Sequence, residues 1–354
     1  MRRISPPAIC ALLLSLLVLA ACGDDAESRR PPPRAGFAGV VEPWDTLAPD
    51  SIYGALPAEN LRVVRADLDL LGVPAGWEGM RIAVISDLQL GLWRDNPGVA
   101  AAALQRAVAE RPDLIVLLGD YLGTGTDTVA LASALAPLRG HPVLAVLGDR
   151  DIRSDSLGAA ITRTLAAAGV RVLKNSAVSW SFGGDTANIA GVDPDLATGT
   201  EADQEWILSQ LGGPRRALLL THIPQLMARA PKGRFPGVLA GNTFCGRVEL
   251  RGTPRLSWLT ATAIPGAAVP GHPRFFRFGD SVMFVTCGTG YGFIPARFGA
   301  PPEVALVTLH PILAQSTAGT DSVAARARAD SLSMDTLLQR YNPSDSAAAS
   351  DSSR

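Results

Sequence analysis

Histidine and lysine are scarce in this chain of 354 residues, and neither sign of charge is in excess. The lysines are Lys174 and Lys232, and the histidines are His141, His222, His272 and His310. The formal net charge is −1 and no run of basic residues is present, which excludes the electrostatic pattern of a nucleic-acid-binding protein.

Long apolar runs are also rare, and the longest lies near the N-terminus. The segment "AICALLLSLLVLAAC" follows Arg2 and Arg3 and is too short to span a membrane stably. Its end, "LAAC", resembles the lipobox of bacterial lipoproteins, in which the signal is cleaved before a lipidated cysteine. Residues 1–21 are therefore expected to be a lipoprotein signal peptide, with Cys22 lipidated. The alternative is an ordinary cleaved signal with a coincidental cysteine.

The residues after Cys22 bear on where such a lipoprotein would reside. Gly23 and Asp24 follow, so the aspartate that retains lipoproteins in the inner membrane is not directly next to the cysteine. That resemblance implies a protein of the bacterial cell envelope, lipid-anchored at the periplasmic face of the outer membrane. More than one acyl chain makes such attachment stable.

Composition divides the rest of the chain into a tether, one domain and a tail. Residues 22–60 are expected to be the lipidated cysteine and a disordered Pro-rich tether, and residues 311–354 a polar, disordered tail. Within 61–310, runs rich in Val, Ile and Leu alternate first with Ala-rich helical stretches and then with few helices. This pattern predicts an α/β fold in which a largely parallel sheet packs on a second, mixed sheet.

Four apolar runs of that domain end in a polar residue. "AVISD" ends at Asp87, "VLLGD" at Asp120, "AVLGD" at Asp149 and "LLLTH" at His222. An aspartate after a strand is most often a helix cap or a turn residue. Three of them at the carboxyl ends of neighbouring strands would repel one another unless a cation or shared protons compensated. The four endings together therefore predict a ligand site.

The series "SDLQLG", "GDYLG", "GDRD", "THIP" and "GNTFCGR" resembles the calcineurin-like metallophosphoesterase superfamily. The motifs of that family are D-x-H, G-D, G-N-H-D, a single H and G-H-x-H. The later "CGTGYGFIPARFG" resembles a membrane-associated branch of phosphodiesterases and UDP-diacylglucosamine pyrophosphatases. The resemblance implies a four-layer α/β/β/α sandwich that hydrolyses a phosphodiester or pyrophosphate by metal-activated water. The substrate would be a phosphorylated small molecule or a lipid-linked compound.

The resemblance implies two metal positions, and this chain departs from the family at both. The first position corresponds to Asp87, Gln89, Asp120 and Phe244, where a glutamine is a weak ligand and a phenylalanine is none. The second corresponds to Asp120, Asp149, His222 and Asn242, a mainly oxygen-rich set. One divalent ion (Mg, Ca or Mn) is therefore expected, and a full two-metal centre is not.

The family's leaving-group histidine is replaced by Arg150, which cannot donate a proton but can bind phosphate. Asp151 is expected to be structural. His272 is a candidate for the edge of the site, whereas His310 is expected past the last strand. Two functional interpretations stay open: a hydrolase with weak or altered activity, and an inactive pseudoenzyme that binds a phosphorylated ligand or an envelope protein.

Cys245 and Cys287 remain once the signal and the lipidated cysteine are set aside. The family fold brings the segments that carry them near each other. The resemblance thus implies a disulfide between Cys245 and Cys287 that fixes the loop containing Asn242 and Phe244.

Overall fold

Two stacked β-sheets form the centre of the fold. The computed structural model describes residues 61–213, 216–231, 233–244, 267–269, 272–292 and 301–312. The described residues of the first sheet form six strands, in the spatial order β1 (Arg62–Leu71), β13 (Glu303–Ile312), β2 (Arg81–Ile85), β3 (Leu114–Leu117), β4 (Val143–Ala145) and β5 (Arg171–Val172). Strands β2 to β5 run parallel, whereas β13 pairs antiparallel with β2 and parallel with β1. The sheet is therefore mixed.

The second sheet is mixed as well. Its described strands follow the order β10 (Ala267–Val269), β11 (His272–Phe278), β12 (Ser281–Val285), β9 (Gly237–Ala240), β8 (Arg216–Thr221), β7 (Asp185–Gly191) and β6 (Ser176–Phe182). Strands β7, β8, β9 and β12 run parallel, and antiparallel strands occupy both edges. The hairpin formed by β11 and β12 agrees with the alternation of "RFFRFGDSVMFV".

Helices connect the parallel strands of the first sheet. They are α1 (Asn96–Ala109), α2 (Thr128–Ala134) and α3 (Asp155–Ala167), and α4 (Glu201–Gln210) follows β7 of the second sheet. Side chains cap three of them: Asp127 accepts from the first turn of α2, Ser154 from that of α3, and Thr200 from that of α4. These caps satisfy backbone N–H groups that a helix start leaves free. Short 3-10 helices occur at Ala75–Trp77, Ala136–Leu138, Pro194–Thr198 and Pro224–Arg229.

Three apolar clusters show how the layers pack. One lies between the sheets and joins Leu68 and Val116 of the first to Leu218 and Phe284 of the second. A second packs helices α1 to α3 on the outer face of the first sheet, and a third packs α4 on the outer face of the second. The apolar runs of β2 and β3 are buried on both faces for this reason. The predicted four-layer α/β/β/α sandwich is confirmed.

The C-terminal strand is longer than the sequence pattern indicates. His310 was expected past the last strand, but it lies within β13, where it pairs with Asp69 of β1. The parallel pairing with β1 continues as far as Leu71 and Ile312 and holds these residues in the sheet. Among the described residues, no helix is both long and apolar enough to cross a membrane.

A close contact between two loops fixes the edge of the first sheet. The loops after β3 and β4 meet at Gly119, whose φ is +89°, and a Cβ there would overlap the backbone N of Gly148. Likewise, a Cβ on Gly148 would overlap Oδ1 of Asp120. Only glycine fits at both positions, because neither backbone can retreat without moving a strand end.

Replacing Gly119 by alanine should destabilise the protein by more than about 3 kcal/mol, because the strained φ and the overlap add. The matched control is Gly140→Ala, where φ is +81° but no atom lies within 4 Å of the added Cβ. That change should cost only about 1 kcal/mol, since backbone strain acts alone. Urea unfolding of both variants measures the difference. Equal losses would show that the loop contact is not tight in solution.

Candidate metal centre

The carboxyl ends of parallel strands from both sheets converge on one place. Asp87 follows β2, Asp120 follows β3 and His222 follows β8, and all three side chains are buried. Each offers a ligand atom, and these atoms lie within 4.8 Å of one another. The structure thus joins three of the residues that the sequence selected, and these three can hold a metal ion.

Left-handed backbone conformations cluster at this place. Positive φ angles occur at five of the predicted site positions: Asp87 (59°), Gln89 (53°), Asp120 (57°), Asn242 (67°) and Phe244 (49°). Residues other than glycine rarely adopt such angles, and each costs on the order of 1–3 kcal/mol unless its surroundings impose it. Hydrogen bonds between loops impose it here, including those from Asp87 N to Gly119 O (2.9 Å) and from Gln89 N to Asp120 O (3.0 Å). The loops hold their side chains in place at the expense of backbone strain.

Buried acceptor atoms without a hydrogen-bond partner show what the centre can bind. They are Asp87 Oδ1, Gln89 Oε1 and, when the imidazole is neutral, His222 Nε2, which then faces only carboxylate oxygens. His222 Nδ1 lies 2.6 Å from the carbonyl oxygen of Leu118, which can only accept, so the proton resides on Nδ1. The lone pair of Nε2 then faces the carboxylates, as in a metal-ligating histidine. An unsatisfied buried acceptor costs about 1–3 kcal/mol, and a cation would remove that cost. The residues present therefore fit a metal ion.

The negative charges of the centre also favour the binding of a cation. Burial raises the pKa of Asp120 to about 8, with the carboxylates of Asp149 and Asp87 adding to the rise and His222 opposing it. Burial alone would lower the pKa of His222, but Asp120 and the hydrogen bond with Asp149 raise it to about 10. Without an ion, protons supply the positive charge that these carboxylates require.

Asp149 lies at the rim of the centre. Its side chain is 55% exposed, and its Oδ1 is 3.2 Å from His222 Nε2. Burial acts to raise the pKa of Asp149, but the hydrogen bond and the charge of His222 outweigh it, so that the pKa is lowered. Asp149 is thus placed to approach the same ion as His222 from the solvent side.

Gln89 and the loop of Asn242 take positions that differ from those of simple ligands. The amide nitrogen of Gln89 donates to Asp120 Oδ2 (2.7 Å), so Gln89 acts here as a hydrogen-bond donor. The backbone N–H of Asn242 donates to Asp87 Oδ2 (3.2 Å). Phe244 is buried, with 5% of its surface exposed. Their roles as ligands, predicted for Gln89 and Asn242, stay predictions.

Arg150 lies beside the central carboxylate. Its backbone N–H donates to Asp120 Oδ1 (3.0 Å), and its Nε is 3.3 Å from Asp120 Oδ2. Its Nη1 donates to the carbonyl oxygen of Gly123 (3.3 Å), and 28% of the side chain is exposed. The guanidinium is thus held in the centre with one side open to solvent.

Asp151 has the structural role expected of it. Its two oxygens accept from the backbone N–H groups of Asp120, Tyr121, Leu122 and Gly148. Burial raises the pKa of Asp151 to about 6, although these hydrogen bonds act to lower it. This carboxylate ties the loop after β3 to the loop after β4, and so positions Asp120.

Several supporting residues were not selected from the sequence. Ser86 Oγ donates to Asp87 Oδ2 (2.6 Å), and Asn96 Nδ2 donates to the carbonyl oxygens of Gln89 (2.7 Å) and Tyr291 (3.0 Å). Ser86 directly precedes a predicted ligand, so its position was a usable signal. The sequence around Asn96 gave no such signal, because its partner Tyr291 is remote in sequence and only the fold brings the two together.

The loop after β12 closes the centre behind Asp87. Gly290 N donates to Asp87 O (2.7 Å), and a Cβ on Gly288 would stand 2.9 Å from Asp87 Oδ2. The buried Glu303, paired with Arg274, accepts from Cys287 N (2.9 Å) and thereby anchors the loop. Cys287 is buried and forms a disulfide. Cys245, its predicted partner, lies outside the described residues, and the side chain of His272 is also not described.

Two stacked mixed sheets with flanking helices form the α/β metallophosphatase fold, and their parallel strands bring carboxylates and an imidazole to one edge that could hold a metal ion. A model of the family described as calcineurin-like phosphoesterase matches residues 80–232. A relative from Aquifex aeolicus (strain VF5), named an uncharacterized metallophosphoesterase, is 30% identical over 272 residues, covering 73% of this chain and 95% of the relative. The chain belongs to the calcineurin-like metallophosphoesterase family.

Other similar proteins carry related names. The uncharacterized metallophosphoesterase YkuE of Bacillus subtilis (strain 168) is 27% identical over 244 residues, covering 67% of this chain and 81% of YkuE. A Danio rerio protein named "Transmembrane protein with metallophosphoesterase domain" is 26% identical over 280 residues, covering 73% of this chain and 60% of that protein. Among solved structures, a protein of Thermus thermophilus matches 60% of this chain and 90% of its own, with 14% identity and a TM-score of 0.38.

Binding of a divalent ion should release protons and tighten as the pH rises. Without the ion, burial raises the pKa of Asp120 to about 8, and the charge of Asp120 raises the pKa of His222 to about 10, so the pair holds at least one proton at pH 7 that the ion must displace. About one proton should therefore leave per ion bound, and the apparent affinity should increase from pH 6 to pH 8. Calorimetry with Mn²⁺ in buffers of different ionisation enthalpy measures this release.

The control for this measurement is His310→Gln, which removes a histidine that pairs with Glu78 and Asp67 instead of with the centre. The control should release as many protons as the unaltered protein. An affinity for Mn²⁺ that does not change with pH would contradict the assignment of these protons.

Proposed function

We propose that the protein hydrolyses a phosphodiester or a pyrophosphate with one divalent cation. The observation that carries this proposal is the buried cluster of Asp87, Asp120 and His222, whose ligand atoms lie within 4.8 Å of one another. Asp149 and Asn242 complete the proposed ligand set from the rim. Because carboxylate and amide oxygens outnumber the single imidazole, the site favours Mg, Ca or Mn.

The side chains of the centre divide the work of such a reaction. A divalent cation held there would act as a Lewis acid toward a phosphoryl oxygen. Arg150 points part of its guanidinium to solvent and can stabilise negative charge on the phosphoryl group. Arg150 cannot donate a proton to the leaving group, because it stays charged at any working pH. The proposal therefore favours substrates whose leaving group needs no proton, such as aryl phosphodiesters and pyrophosphates.

The protein should cleave bis(p-nitrophenyl) phosphate when Mg²⁺, Mn²⁺ or Ca²⁺ is present and should lose this activity with a chelator. Asp120→Asn and His222→Gln should each lower kcat/KM by at least about 100-fold, because each removes a ligand of the ion. His310→Gln is the matched control and should retain full activity. Activity is measured as release of p-nitrophenolate, and the metal bound by each variant is measured by elemental analysis. If the pure protein binds no divalent ion and cleaves nothing, the hydrolase proposal fails.

A second candidate function is that of a pseudoenzyme that binds a phosphorylated ligand or an envelope protein. The hydrogen bond from Gln89 to Asp120 and the apolar Phe244 favour it, because at family ligand positions the first is only a weak ligand and the second is none. Restoring histidine at Gln89, Asn242 and Phe244 together separates the two. A pseudoenzyme would gain metal-dependent hydrolysis from none, whereas turnover by the unaltered protein at rates typical of intact family members would eliminate this candidate.

We also propose that the protein acts at the bacterial cell envelope, anchored through Cys22 at the periplasmic face of the outer membrane, and that its substrate is lipid-linked. Support comes from the apolar segment that ends in "LAAC" and from the resemblance of the "CGTGYG" segment to a membrane-associated branch. An anchored domain on a Pro-rich tether would reach substrates in the plane of the membrane.

Replacing Cys22 by serine should move the protein from the detergent phase to the aqueous phase in Triton X-114 partitioning, because the acyl chains that hold it in lipid are then absent. Hydrolysis of the soluble aryl substrate should be unaffected. Cys287→Ser does not alter the proposed anchor and serves as the control for loss of a cysteine. A Cys22→Ser variant that still partitions with detergent would rule out this anchor.

A further inference from the structure

We propose that Arg150 takes the place of a second metal ion. In this view, the centre holds one divalent ion, and the guanidinium supplies a fixed positive charge at the first metal position of the family. The inference rests on the proposed single-ion site. It assigns to Arg150 a role in setting how many ions bind and how tightly.

The two oxygens of Asp120 face different partners. Oδ2 accepts from Gln89 Nε2 at 2.7 Å and lies 3.3 Å from Arg150 Nε. Oδ1 accepts from the backbone N–H of Arg150 at 3.0 Å and lies 3.5 Å from His222 Nε2, on the side of the proposed ion. In the family, this carboxylate joins two metals. Here, two side-chain donors already satisfy the oxygen that would face the first of them.

Gln89 and Arg150, the donors to Oδ2, are fixed in position. The backbone of Gln89 is held by a hydrogen bond from its N–H to Asp120 O (3.0 Å) and by one from Asn96 Nδ2 to its carbonyl oxygen (2.7 Å). Arg150 is held at its backbone N–H, at Nε and at Nη1. A guanidinium held at Nε and Nη1, on a side chain that is only 28% exposed, acts as a stationary charge.

Three carboxylates set the negative charge that cations at the centre must balance. The carboxylates that face the centre are those of Asp87, Asp120 and Asp149, whereas Asp151 faces the backbone N–H groups of its own loops. One divalent ion together with the Arg150 guanidinium would offset all three charges. A second divalent ion would leave an excess of positive charge in a buried place, which is costly. Phe244, at a family ligand position, provides no ligand atom for such an ion.

The test compares Mn²⁺ binding, by calorimetry at pH 7, in the unaltered protein, Arg150→Gln and Arg150→Lys. The unaltered protein should bind one ion. Arg150→Gln should bind Mn²⁺ about tenfold more tightly or take up a second ion, because a nearby repelling charge is lost. Arg150→Lys keeps the charge and should behave like the unaltered protein, within about threefold.

Arg153→Gln is the matched control. Arg153 also donates to the Gly123 carbonyl (2.9 Å) and carries the same charge, but its hydrogen bonds go to the carbonyls of Gly123 and Gly125 instead of to Asp120. Its effect on Mn²⁺ affinity should be clearly smaller than that of Arg150→Gln. Equal effects, weaker binding by Arg150→Gln, two ions in the unaltered protein or no ion in any variant would each overturn the proposal. The titration does not depend on hydrolysis, so an inactive protein that shows the expected binding would refute only the hydrolase proposal.

Discussion

The burial of one carboxylate, that of Asp120, is the constraint on which the rest of the centre depends. A buried charge needs partners on every side, because the desolvation cost of an unpaired carboxylate exceeds what a marginally stable domain can tolerate. His222 lies on one side of Asp120, Gln89 and Arg150 lie on the other, and Asp151 holds its backbone. Each partner arrives from a different part of the chain, so the fold must bring these loops together for Asp120 to remain buried.

The loops carry backbone strain as a consequence. The loops after β2, β3 and β9 meet only if they turn sharply just beyond the strand ends, and the positive φ angles of Asp87, Asp120 and Asn242 occur at these turns. The tight approach of Gly119 to Gly148 stems from the same geometry. Gln89 and Phe244, which the resemblance to the family matches with ligand positions, carry the same strain.

The sequence predicted the layers of the fold and the positions of the central residues well, since both depend on local patterns. Apolar runs buried on two faces predict parallel strands, and Asp87, Asp120 and His222 stand directly after such runs. It did not predict the extent of β13, because His310 is kept in the sheet by pairing with β1 at the other end of the domain. Asn96 was missed for the same reason: its hydrogen-bond partners include a residue distant in sequence.

By itself, the sequence determined which residue types stand at the strand ends. It showed three aspartates there and one histidine, His222. Only the tertiary structure decided what those side chains do. Gln89 is a weak ligand by residue type, but in the fold its amide nitrogen donates a hydrogen bond to Asp120. Arg150 is permanently charged by residue type, and the fold places its guanidinium against Asp120. Residue identity sets what a group can bind, whereas packing between distant loops sets the direction in which it points, and the chemistry depends on both.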